Sequence, residues 1–150
     1  MHGSTNSGHP VCAAASLAAI DIILREDLPD NAAKVGAYLK TRLIGLMDNH
    51  PIIGDVRGRG LMIGIDLTRD RKTRQALPGN DIFNFMLSSY VHGLLNSISE
   101  CGLSLFPPLN IDEAIADEIV AIMDKVFHTG KIADLERNVG LLKEFLKSKL

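Results

Sequence analysis

The residues best suited to chemistry lie in one short loop, which reads His2-Gly3-Ser4-Thr5-Asn6-Ser7-Gly8-His9-Pro10. Its small hydroxyl and amide side chains offer hydrogen bonds, and its glycines relax the backbone. Pro10 suits the first position of a helix, because its φ is fixed and it has no N–H to satisfy. A loop that feeds a helix N-terminus presents unpaired N–H groups and the positive end of the dipole, which favours a bound phosphate. The same pattern is also typical of an ordinary N-cap.

Other polar residues offer less specific chemistry. Arg57 and Arg59 flank Gly58 and are either anion ligands or, as we favour, the charged flanks of a turn. Residues 69–79 form a charged segment without interleaved aromatics, which indicates a solvated loop and not a nucleic-acid site. His92 has no catalytic partner recognisable from the sequence, and the spacing of the other residues predicts no metal site.

Size and composition narrow the class of protein. The chain has 150 residues, of which 46% are hydrophobic and 23% charged, and this is sufficient for one domain with a single core. Its net charge of −2 gives no reason to expect nucleic acid or an anionic membrane as a partner. Cys12 and Cys101 are predicted to be reduced and buried. Val11–Leu24 is nearly all apolar but lacks a basic leader and contains Asp21. We therefore predict a buried helix in a cytoplasmic protein and not a signal peptide.

In the segments that follow the loop, the spacing of apolar residues changes between that of a helix and that of a strand. A helix from Pro10 is predicted to break at residues 27–30, where a second helix starts, with Val35, Leu39 and Leu43 on its apolar face. Residues 52–57 and 61–68 are predicted to be strands joined by a turn at 58–60.

The second half repeats this change of period. We predict a helix capped by Asn80 or Asp81, strands at 94–98 and 103–106, and a further helix capped by Asn110 with an apolar stripe (Ile115, Ile119, Ile122, Met123 and Val126). Heptad-spaced apolar residues predict an extra helix over 131–148, which packs on its own domain or on a partner. The expected fold is α/β of the α+β type, with a three- to four-stranded, mostly antiparallel sheet packed with helices.

Three motifs occur in a recognisable order: the loop at 2–10, the run Val56–Leu61, and Pro107-Pro108-Leu109. Together they resemble the class III aminotransferases, a branch of the fold-type I pyridoxal-phosphate enzymes, over residues 2–128. The resemblance implies a single small C-terminal domain carrying a phosphate loop, within a homo-oligomer. It implies that Ser4 and Thr5 bind the phosphate of pyridoxal 5'-phosphate held by the neighbouring subunit. The implied reaction moves an amino group between an amino acid or amine and a 2-oxo acid.

The catalytic lysine of that family has no counterpart here. None of the eight lysines lies in the family's lysine context, so no catalytic residue is assigned. The chain alone is expected to be inactive and to bind the cofactor weakly or not at all. Asn6 stands where the family has Tyr or Phe, and Ser97 lies near the position of an Arg that grips a substrate carboxylate. The alternative is a free-standing, non-catalytic domain that keeps only the fold and an assembly surface.

Overall fold

The computed structural model describes residues 5, 8–128, 140 and 147. Residues 1–4 lie outside the described residues, and so does the predicted helix over 131–148, except for residues 140 and 147. The described helices are α1 (Pro10–Arg25), α2 (Leu28–Gly45), α3 (Gly79–Val91) and α4 (Glu113–His128), and a short 3-10 helix (Leu46–Asp48) follows α2. The strands are β1 (Ile53–Arg59), β2 (Met62–Asp70), β3 (Gln75–Ala76), β4 (Ser97–Ile98) and β5 (Gly102–Leu105). No helix among these combines the length and apolar character needed to cross a bilayer.

The strands form one antiparallel sheet in the order β1-β2-β5-β4, with β3 beside the far end of β2. This arrangement confirms the predicted α+β fold. The first hairpin is tighter than predicted, because β1 continues to Arg59, which pairs with Met62 across a two-residue turn. Strand β3 lies in the segment that we interpreted as a charged loop. It pairs antiparallel with β2 at Thr68 and Asp70, and the Thr68 hydroxyl also donates to the Gln75 carbonyl over 2.7 Å.

The core lies on one face of this sheet. Leu61, Ile63, Ile65 and Leu67 are each at most 4% exposed, as the alternation of apolar residues predicted. The buried face of α2 supplies Val35, Leu39 and Leu43, again as predicted. On α4 the buried set is shifted relative to the prediction, since Ala116 and Val120 are buried whereas Ile115 is 42% exposed.

Helix α2 lies unusually close to the β1–β2 turn. A Cβ placed on Gly36 would lie 2.1 Å from the carbonyl carbon and oxygen of Gly60. Gly60 itself has φ +54, a left-handed conformation that favours glycine. The paired glycines therefore let the helix backbone rest directly on the hairpin.

Helices α2 and α4 are also joined by polar contacts. The Tyr38 hydroxyl donates to Asp117 Oδ1 over 2.9 Å, and Arg42 Nη2 lies 3.2 Å from the same oxygen. The hydrogen bond to Asp117 is the main reason that the pKa of Tyr38 is raised above its usual value. These contacts fix the relative position of α2, which packs on the hairpin, and α4.

Two of the predicted helix caps are wrong. Helix α3 begins at Gly79 with Pro78 at its N-cap, and neither Asn80 nor Asp81 caps it. At α4, the Asp112 side chain accepts a hydrogen bond from the Ile115 N–H over 2.9 Å, which is the role predicted for Asn110. Asn80, Asp81 and Asn110 are all residue types that cap helices, so the sequence pattern indicated roughly where each helix begins but not which residue caps it.

The predicted burial of the first helix is also wrong. Helix α1 has no buried residue, and Val11, Leu17 and Leu24 are each about 70% exposed. An apolar helix is buried only where another surface covers it, and none of the described elements does so. Cys12 on this helix is consequently exposed, and Cys101, in the β4–β5 turn, is exposed as well, so the prediction of buried thiols fails for both.

Candidate functional site

The loop that we predict to bind phosphate precedes α1 in the sequence. Thr5 lies in an exposed turn, whereas Ser4 is outside the described residues. Gly8 has φ +78, and a Cβ there would meet nothing within 4 Å, so its backbone conformation and not crowding explains the glycine. His9 follows in an extended conformation as the N-cap, and Pro10 begins the helix as predicted. Thr5 thus precedes the first residue of this helix, Pro10, by five positions in the sequence.

The start of α1 is suited to an anion. The His9 side chain makes no capping hydrogen bond, and the first turn contains no acidic residue. The N–H groups of a first helical turn lack intrahelical acceptors, and the helix dipole adds partial positive charge there. The Thr5 side chain makes no hydrogen bond with another described residue. This donor set fits a phosphate group.

The run Val56–Leu61 has a structural role. Arg57 donates to the Asp66 carboxylate on the neighbouring strand, and this hydrogen bond raises the pKa of Arg57. Lys40 lies 3.4 Å from the Gly58 carbonyl oxygen and so ties α2 to the same hairpin. Arg57 is thus paired with a carboxylate across the hairpin, in agreement with its interpretation as a charged flank of the turn, whereas the role of Arg59 stays a prediction.

A cleft of about 600 Å³ lies beside this hairpin, and two of the arginines that line it, Arg57 and Arg71, are engaged in structural contacts. Arg71 donates from Nε to the Ile53 carbonyl over 2.7 Å, and from Nη2 to the carbonyls of Met47 and His50. It therefore caps carbonyls where the chain leaves α2 and enters β1. The interpretation of residues 69–79 as merely solvated missed this role, because the acceptors lie 18 to 24 positions away in sequence.

The Pro107-Pro108-Leu109 motif is fastened to α2 by a residue that the sequence analysis did not single out. Asn31 Nδ2 donates to the Leu109 carbonyl over 2.8 Å and to the Ile111 carbonyl over 3.0 Å. The motif borders an apolar groove of about 330 Å³, in which Glu118 is the charged residue among the described lining residues. Ser97 is exposed on β4 and pairs with Ser104. None of the described residues that line this groove is an arginine.

Comparisons with known proteins agree with this arrangement of motifs. The family model described as aminotransferase class-III matches residues 1–127. The taurine–pyruvate aminotransferase of Bilophila wadsworthia is 43% identical over 146 residues, covering 92% of this chain and 31% of that protein. The isoleucine 2-epimerase of Lentilactobacillus buchneri is 39% identical over 129 residues, covering 84% of this chain and 28% of that protein.

Solved structures give the same result. An (S)-enantioselective omega-transaminase from Thermomicrobium roseum superposes with a TM-score of 0.79 at 33% identity, over 87% of this chain and 30% of that one. An amine transaminase from an uncultivated Pseudomonas species, solved in its PLP-bound form, superposes with a TM-score of 0.78 at 40% identity, over 85% and 29% of the two chains. This chain thus spans less than a third of the length of these relatives. It belongs to the class III aminotransferase family.

Proposed function

We propose that this chain is the small domain and phosphate loop of a pyridoxal-phosphate-dependent aminotransferase. The reaction would move an amino group between an amino acid or amine and a 2-oxo acid. The observation that carries the proposal is the class III match over residues 1–127, together with a helix N-terminus that has no side-chain cap and that Thr5 precedes in the sequence. The cofactor is supported by the PLP-bound form of the Pseudomonas transaminase.

The role of this chain's residues is to hold the cofactor phosphate. Thr5 would donate its hydroxyl and its N–H, Ser4 would donate a further N–H, and the N-terminus of α1 would stabilise the negative charge. Each hydrogen bond to a charged acceptor contributes roughly 1.5–3 kcal/mol. Two or three such bonds hold the phosphate in place when the rest of the cofactor is anchored by other parts of the enzyme. When bound, pyridoxal phosphate supplies the electron sink for the chemistry at the substrate carbon.

Proton transfer is assigned to residues outside this stretch. The eight lysines of the chain are each outside the family's lysine context, so we infer that the catalytic lysine and the acidic partner of the cofactor ring come from elsewhere in the enzyme. The 150-residue chain alone is accordingly expected to be inactive. Cofactor binding by the chain alone is expected to be weak or absent.

The arrangement of α1 supports assembly as a homo-oligomer. Its apolar side chains are exposed along the whole helix, next to a loop that we expect to reach a neighbouring subunit. The exposed helix is also the feature that favours the alternative, a free-standing domain with an assembly surface and no catalysis. These two possibilities differ in whether a cofactor is held at Thr5.

The groove beside Pro107-Pro108-Leu109 and the residue at position 97 indicate which class of substrate we expect. The groove is predominantly apolar, and the position near which the family places a carboxylate-binding arginine is Ser97. A bidentate clamp for a second carboxylate is therefore absent from this position. We infer a substrate without a second carboxylate, unless another part of the enzyme supplies the arginine.

A chimeric enzyme tests the proposal. Residues 2–127 of this chain would replace the matching segment of the Bilophila wadsworthia taurine–pyruvate aminotransferase, and aminotransfer from taurine to pyruvate would be measured. We expect an active, pyridoxal-phosphate-loaded chimera. A folded chimera that assembles like the parent enzyme but holds no cofactor would contradict the proposal and favour the non-catalytic alternative. As a second measurement, borohydride reduction of the 150-residue chain mixed with pyridoxal phosphate is expected to give no stoichiometric lysine adduct.

A further inference from the structure

Three side chains with metal-ligating atoms converge where the end of α2 meets the end of α4. His50 Nε2 lies 2.7 Å from Asp124 Oδ1, and His128 Nδ1 lies 3.6 Å from the same oxygen. All three ligand atoms lie within 4.8 Å of one another. The cluster belongs to neither the phosphate loop nor the groove beside Pro107, and its three members share no sequence motif.

His50 is the fixed member of this cluster. Its side chain is 4% exposed, its N–H donates to the Leu46 carbonyl over 3.0 Å, and its own carbonyl accepts from Arg71 over 2.7 Å. The imidazole also packs against the Phe127 ring, with the ring centroids 5.8 Å apart. A ligand that is held in this way loses little conformational entropy when it binds an ion.

Asp124 and His128 supply the other two ligands from one face of α4. They are separated by one helical turn, the spacing at which side chains on a helix become neighbours. Their side chains are 42% and 68% exposed, so the outer side of the cluster is open to solvent. An ion could therefore reach the buried His50 nitrogen from outside and keep water in its remaining positions.

The donor set selects the class of ion. Two imidazole nitrogens and one carboxylate oxygen suit borderline divalent metals such as Zn²⁺ better than Mg²⁺ or Ca²⁺, which prefer oxygen alone. Zinc bonds of about 2.0–2.2 Å in a tetrahedron place the ligand atoms roughly 3.3 Å apart. The separations of 2.7 and 3.6 Å to Asp124 Oδ1 lie on either side of that spacing, and because all three ligand atoms lie within 4.8 Å of one another, small side-chain rotations would bring them to it. We propose that His50, Asp124 and His128 bind a divalent transition-metal ion of the Zn²⁺ type, with water completing the coordination.

Binding would couple distant parts of the chain. His50 and Asp124 are 74 positions apart in sequence, so the ion would fasten α4 to the segment that links α2 to β1. The unfolded chain does not hold these three ligands together. The ion therefore binds the folded state in preference and raises the unfolding temperature.

The experiment uses Zn²⁺ and the complete 150-residue chain. Cys12 and Cys101 are exposed thiols that would compete for zinc, so both are first replaced by Ser. Titration calorimetry and thermal unfolding are then compared for this background and for His128→Ala, in which the most exposed ligand is removed without opening the core. Asp124→Asn is a second variant, because it keeps an acceptor for His50 and loses the charge.

We expect one Zn²⁺ per chain in the background protein and a rise in unfolding temperature on adding zinc. Loss of an outer-shell partner alone typically weakens metal binding 10–100-fold, so His128→Ala should weaken it by at least about tenfold. The matched control is His92→Ala, whose ring bonds to the Ser88 carbonyl on α3, and it should bind zinc as the background does. Absence of binding to the background protein would overturn the proposal, as would equal affinity in His128→Ala. The cluster would then be a hydrogen-bonded pair of His50 and Asp124 with His128 beside it.

Discussion

Replacing Gly36 by Ala tests the close approach of α2 to the hairpin. The new Cβ would lie 2.1 Å from the Gly60 carbonyl carbon and oxygen and 2.7 Å from the Gly60 Cα. Contacts this short are not found in folded proteins, and all three atoms belong to the backbone. They cannot move aside by a change of rotamer, so the helix and the turn must separate. Separation would open the packing of Val35 and Leu39 against β1 and β2.

The size of the effect follows from two opposing terms. Ala gains about 1 kcal/mol over Gly inside a helix. Overpacking of a well-packed core costs typically about 1–3 kcal/mol, and a backbone obstacle places Gly36→Ala at or above the upper end of that range. We therefore expect a net loss of about 2 kcal/mol in the free energy of unfolding. For a domain of this size that loss corresponds to an unfolding temperature lower by roughly 4–8 °C.

The assay is urea unfolding followed by circular dichroism, with Gly45→Ala as the matched control. Gly45 ends the same helix, has φ −59, and a Cβ there would meet nothing within 4 Å. Ala is compatible with that conformation and should raise the stability by about 0.4–1 kcal/mol. The two variants thus have opposite predicted signs. The reasoning is refuted if Gly36→Ala is as stable as Gly45→Ala.

Three further predictions concern other contacts. Arg71→Ala removes the donors to three backbone carbonyls and should lower the free energy of unfolding, measured in urea, by about 2 kcal/mol. The control Lys72→Ala should stay within about 0.5 kcal/mol of the parent chain. Equal values for the two variants would show that the carbonyl contacts do not contribute to stability. Asp112→Ala should lower the free energy of unfolding by about 1 kcal/mol because the N-cap of α4 is lost, whereas Asn110→Ala should leave it nearly unchanged. The reverse order of the two effects would show that Asn110 is the cap. Because α1 exposes apolar side chains, the purified chain should self-associate at micromolar concentration, as measured by sedimentation. Leu17→Glu should weaken this self-association. A parent chain that sediments as a monomer would contradict the prediction.

The fold could be predicted largely from local patterns. Alternation from Leu61 to Leu67 identified the buried face of β2, and the break at residues 27–30 separated α1 from α2. What the sequence did not reveal depends on contacts between distant positions. Arg71 binds carbonyls 18 to 24 positions away, and Asn31 binds the Leu109 carbonyl 78 positions away. No periodicity records such pairs, so neither role could be predicted.

At the candidate site, too, features that depend on local residues were predicted correctly, whereas features that depend on distant contacts were not. The glycine and proline of the loop placed the start of α1 correctly, because those residues act through their own backbone. The burial of α1 was predicted wrongly, since burial depends on a covering surface and not on the apolar sequence alone. The cluster of His50, Asp124 and His128, which we propose to bind zinc, joins His50 to two residues of α4, and its members share no sequence motif. The assignment of Ser4 and Thr5 to the cofactor phosphate stays a prediction.

The most direct test of the central claim is the cofactor affinity of Thr5 variants in the chimeric enzyme. Thr5→Ala removes one hydroxyl donor to a charged phosphate, worth roughly 1.5–3 kcal/mol, so the dissociation constant of pyridoxal phosphate should rise by about 10- to 100-fold. Thr41→Ala is the control, because its hydroxyl bonds to the Ala37 carbonyl on the exposed side of α2. We predict unchanged affinity for Thr41→Ala and a marked loss for Thr5→Ala. Equal affinities in the two variants would contradict the account and show the loop to be a simple helix cap.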